Sequence, residues 1–238
     1  MWIQTLESMS ELEEESKRPR PVLRTFTRRQ ISIMKARGWA IKTRWLMVLA
    51  LVAPLTCVVI LPAGCGLQTD EANKHLEQAT KHQGDAEAIL LRFKAFPNDW
   101  ENIFDVSAIG QPQVDRARQL IQMREQDLDA LGKALKAWRG DLDLISKLNV
   151  ETKVKEYVSL KMKAIKAWED YASTALRPLI KAYNGMVDII ASGGSAAQQD
   201  AKAQEITGLV GESVQKLEEC RIAEKQAEEY FKKNKLGK

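Results

Sequence analysis

From residue 70 onward, apolar and small residues recur at alternating steps of three and four almost to the C-terminus. A first run passes through Ala72, Leu76, Ala79, Gln83, Ala86, Leu90 and Phe93, and a second through Val114, Ala117, Ile121, Arg124, Leu128, Leu131, Leu135 and Trp138. A third links Val154, Val158, Lys161, Ile165, Trp168, Ala172, Ala175, Leu179, Ala182, Met186 and Ile189. The fourth takes in Ile206, Val210, Ser213, Leu217, Cys220, Glu224, Ala227 and Phe231. Such steps place one stripe along one face of a helix, and a repeat near 3.5 favours supercoiled packing against neighbours. No sustained period-two run occurs, so strands are not predicted.

Breakers set the boundaries. Pro97-Asn98 ends the first helix, and a long connection runs from there to Gly110-Gln111-Pro112, with room for one turn of helix from Trp100 to Phe104. The short turn Asn149–Thr152 implies antiparallel neighbours, and Ala191-Ser192-Gly193-Gly194-Ser195 reads as a flexible loop. The expectation is all-α: an elongated antiparallel bundle of four long helices, about 70–96, 112–148, 152–191 and 197–235, with coiled-coil-like seams. Gly140 is expected to break or bend the second helix, and Pro178 to kink the third. Four polar residues, Gln83, Arg124, Lys161 and Glu224, interrupt the stripes. They are expected to lie at bundle ends or to reach water along their stems. The sharper alternative is a buried pair, such as Arg124 with Glu224, that fixes helix register.

The chain before residue 70 is of a different kind. Trp45 to Leu67, WLMVLALVAPLTCVVILPAGCGL, is uncharged. As a helix it would reach roughly 34 Å, enough to cross a bilayer. Ten basic residues and no acid lie between Lys17 and Arg44, whereas Asp70 and Glu71 follow the apolar run. The positive-inside rule therefore keeps the N-terminus cytoplasmic and exports the helical part. Within this run, ILPAGC resembles the lipobox of bacterial lipoproteins, with the small residues Ala63 and Gly64 before Cys65; Pro62 stands where that family usually carries leucine. The resemblance covers about five residues of the leader. It implies that Cys65 is the lipidated residue, that residues 34–64 are a signal peptide cut before it, and that the new N-terminus anchors the chain. Met34 begins an ordinary basic n-region for such a signal, which leaves residues 1–33 as a cytoplasmic tail or a misassigned start. The alternative is an uncleaved anchor spanning about 45–67, with Cys65 merely at its outer end.

Charge counting then removes one class of partner. The formal net charge of +4 belongs to the leader: the first 64 residues hold ten bases and five acids, and the 174 from Cys65 on hold 26 and 27. A near-neutral exported domain has no basic face for phosphates, so nucleic acid is not an expected partner. Membrane lipid is expected through the anchor, and a protein partner or self-association through the amphipathic helices. Lys153, Lys155, Lys161, Lys163 and Lys166 are read as a solvated face that could also meet anionic headgroups.

Chemistry is sparse. The only histidines, His75 and His82, share a helix side but stand roughly 10 Å apart, too far to hold one metal together. Cys57, Cys65 and Cys220 form no disulfide framework or CxxC motif, and Cys220 falls on the fourth stripe as a buried structural residue. Trp138, Trp168, Tyr157, Tyr171 and Tyr183 either fill the core or line an apolar pocket between helices two and three. No cofactor, metal or catalytic residue is expected, and the chain is not read as an enzyme. The expected function is that of a membrane-anchored extracytoplasmic bundle with a structural or protein-binding role in the cell envelope. A single-pass protein whose helical domain binds or senses a small ligand is the alternative.

Overall fold

The computed structural model describes residues 68–236 apart from residue 107. The lipobox, Cys57, Cys65 and the apolar run lie outside the described residues. Within them the chain is all-α: α1 (Thr69–Phe104), α2 (Gln111–Lys147), α3 (Thr152–Tyr171), a π-helical turn (Ala172–Leu176), α4 (Arg177–Ala191) and α5 (Ala196–Lys233). Through the π turn, α3 and α4 form one rod, so the architecture is an up-down-up-down bundle of four long helices. Antiparallel pairing is read from contacts whose numbers rise on one helix as they fall on the next. Arg118 and Arg139 of α2 meet Asp188 and Glu169, while Arg92 and His82 of α1 meet Asp127 and Asp141.

The residues explain the elements. Asp70 and Glu71 sit in the first turn of α1, where negative charge suits the helix dipole. Gly110 opens α2 with Pro112 in its first turn, and its N–H donates to the Gln113 side chain. Ser195 caps α5 reciprocally with Gln198: its Oγ accepts from the Gln198 N–H, and its own N–H donates to Gln198 Oε1. Gly193 supplies the positive φ of 68° that turns α4 into α5.

The three breakers act differently. Helix α1 does not stop at Phe96 but continues through Pro97 to Phe104, leaving a connection of only 105–110. A proline in a helix interior removes one backbone bond and crowds the preceding turn, at a cost of about 3 kcal/mol. Burial of Phe96 and Phe104, with the Trp100 ring packed on Tyr183 of α4 at 4.6 Å between centroids, offsets that cost. Gly140 does not break α2, which runs on to Lys147. Pro178 acts four residues upstream: it has no N–H for the Thr174 carbonyl, and the chain there widens so that the Arg177 N–H bonds to Ala172 O. Beyond the turn Leu179, Ala182 and Met186 are buried as expected, and only at the end of the rod is Ile190 buried where Ile189 was expected.

Helix α2 lies between α1 and the α3–α4 rod and buries adjacent pairs such as Leu120–Ile121 and Ala134–Leu135. Helix α5 packs on α3–α4 alone and accordingly buries only seven of its 38 residues. Among the described residues no Cα of α1 comes within 8 Å of one of α5. The ring of four helices is therefore open along one seam.

Candidate functional site

The open seam forms a cleft of about 490 Å³. Helix α1 contributes Gln83, Glu87 and Leu90 to it; α3 contributes Tyr157, Lys161 and Trp168; α5 contributes Glu224, Glu228 and Phe231; and Leu135 of α2 reaches its floor. Three of the four polar residues that interrupt the stripes meet here. Lys161 Nζ lies 3.4 Å from Gln83 Oε1 and 5.5 Å from the centre of the Trp138 ring. Gln83 Nε2 donates to Glu87 Oε1 at 2.8 Å, and the Trp168 indole N–H donates to Glu224 Oε1 at 2.9 Å.

These groups converge because α1 and α3 run parallel while α5 runs antiparallel to both, which brings residues 83, 161 and 224 to one level of the bundle. Partial burial strengthens the interactions among them. Burial pushes the Glu224 carboxyl above its ordinary range; the Trp168 hydrogen bond and the Lys161 charge act the other way, and the Glu87 and Glu228 charges add to the rise. Higher on the wall, Arg221 pairs with Glu218 at 2.9 Å and Lys232 with Glu228, so the rim largely neutralises itself.

The fourth polar residue lies elsewhere. Arg124, 4% exposed, faces Asp127 at 3.2 Å, and Asp127 also accepts Arg92 Nε at 2.8 Å across the α1–α2 seam. The Arg124–Glu224 pair is thus replaced by two local arrangements: Arg124 is held by Asp127 of its own helix, Glu224 by Trp168 of α3. The lysine face divides as well, because Lys161 turns into the cleft whereas Lys155, Lys163 and Lys166 are exposed.

The aromatic residues divide in the same way. Trp168 and Tyr157 line the cleft, between α1, α3 and α5 rather than between the second and third helices. Trp138 lies under Lys161, while Tyr171 and Tyr183 are buried in the core, where burial raises both hydroxyls above their ordinary range. His82 is half-buried between Asp85 and Asp141, each at 3.6 Å. Among the described residues no group of three His, Cys, Asp or Glu side chains could hold a metal ion. Cys220 is a buried free thiol; burial first, then the Glu224 and Glu219 charges, push it far above the reactive range.

Glu87 and Glu228 were not singled out from the sequence, where they look like ordinary solvated positions. The signal that did exist was the coincidence in height of three polar interruptions, which becomes visible only once helix direction is known. Among the described residues no helix is long and apolar enough to cross a membrane. No family model, curated protein or solved structure matches the chain.

Proposed function

We propose that this protein is a membrane-anchored, extracytoplasmic binding module whose helical bundle takes a small ligand in the cleft between α1 and α5. The anchor rests on the uncharged run, the basic segment before it and the likeness of ILPAGC to a lipobox, with Cys65 as the lipidated residue. One observation carries the ligand-binding part: a bundle large enough to close its core leaves one seam open over a half-buried carboxylate, a lysine and aromatic rings. The cleft's volume is in the range of small-molecule sites. A purely structural or protein-binding role would be better served by an apolar face. The large exposed apolar residues among those described, Leu91, Met123, Leu144 and Ile222, are spread over three helices.

Native mass spectrometry of the chain released from membranes tests both parts together. A chain beginning at Cys65 with added lipid mass, lost in Cys65→Ala, supports the lipoprotein; a retained leader indifferent to that change makes the run a transmembrane anchor instead. A non-covalent small-molecule adduct on the wild type, missing from a folded Thr80→Trp variant in which this α1 residue of the cleft lining fills the cleft, supports the ligand site. An adduct equally present in both would place binding elsewhere.

A further inference from the structure

The charges at the bottom of the cleft do not balance. Rim groups pair off, Arg221 with Glu218, Lys232 with Glu228, and Lys225, which also lines the cleft, with Glu229 just outside it. The floor holds two carboxylates, Glu87 and Glu224, against one ammonium, Lys161. That ammonium leans toward Gln83 Oε1 and the Trp138 ring. With all three ionised the floor carries one net negative charge. Around it stand π faces: Trp168, whose N–H already serves Glu224, and Tyr157 and Phe231, with ring centres 5.3 Å apart. Carboxylates that attract a cation, beside aromatic faces that attract it through their quadrupoles, form the chemistry that selects organic ammonium groups over anions.

We propose that the cleft binds a small organic cation, an amine or quaternary ammonium on an apolar body, with its charge between Glu87 and Glu224 and its hydrocarbon against Trp168, Tyr157 and Phe231. The assignment rests on the reading of the cleft as a binding site and gives that site its ligand class. Its charge logic includes every element around the cleft: Glu87 from α1, Lys161 and Tyr157 from α3, Glu224, Glu228, the buried Cys220 and the rim groups Glu218, Arg221, Lys225 and Lys232 from α5, and only the apolar Leu135 from α2. In the empty cleft Glu224 holds its proton to higher pH than an exposed carboxylate. An arriving cation stabilises the ionised form, so the proton leaves to solvent as the ligand enters. Affinity rises with pH until Glu224 is ionised without help, then levels off.

The test is calorimetric titration of the full chain, in non-ionic detergent micelles, with two probes that share one apolar body: hexylammonium and hexanoate, each corrected for micelles alone. Hexylammonium is expected to saturate one site and hexanoate to give only the micelle background. Glu224→Gln, which keeps an acceptor for Trp168, should weaken hexylammonium about tenfold or more, or by roughly 1.4 kcal/mol. Glu219→Gln, an exposed change beside Lys216, should leave it unaltered. Below neutral pH, buffers of different protonation enthalpy should report release of up to one proton, and the Glu224→Gln variant should release none. Saturable hexanoate binding lost in Lys161→Met would overturn the cation assignment and leave the cleft a binding site. Hexylammonium bound equally by wild type and Glu224→Gln would overturn it as well. Silence from both probes refutes the assignment, and a bare chain in the native mass experiment would then remove the site itself.

Discussion

Trp168→Phe removes the indole N–H that reaches Glu224 and little else, which makes it the sharpest probe of the cleft floor. The ring is 3% exposed, and its hydrogen bond of 2.9 Å ends on a carboxylate that burial has already made reluctant to ionise. A hydrogen bond to a charged group is worth about 1.5–3 kcal/mol, and the void left by the smaller ring adds about 1 kcal/mol. The variant should therefore lose about 3 kcal/mol in urea unfolding followed by far-UV circular dichroism at neutral pH. In a Glu224→Gln background the acceptor is neutral, its bond is worth about 1 kcal/mol, and the same change should cost roughly 1 kcal/mol less. The pH dependence has a definite sign. A carboxyl whose folded value lies above its unfolded value binds protons more tightly in the native state, so its contribution to stability is full at low pH. It is lost as pH rises from the ordinary carboxylate range through the raised value. Trp168→Phe lifts Glu224 further and should extend that loss to higher pH, whereas Glu224→Gln should abolish it. A coupling below about 0.3 kcal/mol in the double-mutant cycle, or a pH profile indifferent to Glu224→Gln, would refute this account of the cleft floor.

Asp127→Asn should destabilise the fold by about 3 kcal/mol in the same urea assay, because Asp127 answers both Arg92 and the buried Arg124. A loss as small as that of an exposed ion pair would show that Arg124 finds another partner. Gly140→Ala should raise stability by about 0.5–1 kcal/mol, since its added methyl meets open space on an exposed helix face. Gly194→Ala should lower stability, because its methyl would lie 2.6 Å from Ile189 Cγ2 and 2.9 Å from the Ile189 carbonyl; thermal melts of the two variants should shift in opposite directions. In a Cys57→Ala/Cys65→Ala background, Cys220 should resist a thiol reagent in the native state and react once the chain is unfolded, and rapid native labelling would contradict its burial.

Much of the bundle was legible in the residue pattern. The seven positions of the first run from Ala72 to Phe93 and the eight of the second from Val114 to Trp138 are all buried, Gln83 and Arg124 included. Helix periodicity is a local property of the backbone, so a stripe at steps of three and four declares its buried face wherever the helix goes. The break at Gly193 was likewise readable from nearby residues, whereas the Ser195–Gln198 cap that closes it was not singled out. Tertiary packing decided what depends on comparing distant segments. Pro97 reads as a stop, yet the aromatic contacts of Phe96 and Trp100 with Tyr183, more than eighty residues on, carry the helix past it. Pro178 reads as a kink, and the local form it takes, a π turn through which the helix continues, shows only in the structure. The open seam was the least readable feature, because nothing in the stripe of α1 or α5 states which other helix each will touch. Arg124 and Glu224 looked like partners as two opposite charges on two stripes. Helix direction and height gave each a different neighbour, and the same geometry brought Gln83, Lys161 and Glu224 together in the cleft. Sequence determined which face of each helix turns inward; only the assembled bundle determined which polar groups meet there, since a charge interacts with what lies within a few ångströms in space, at any separation along the chain.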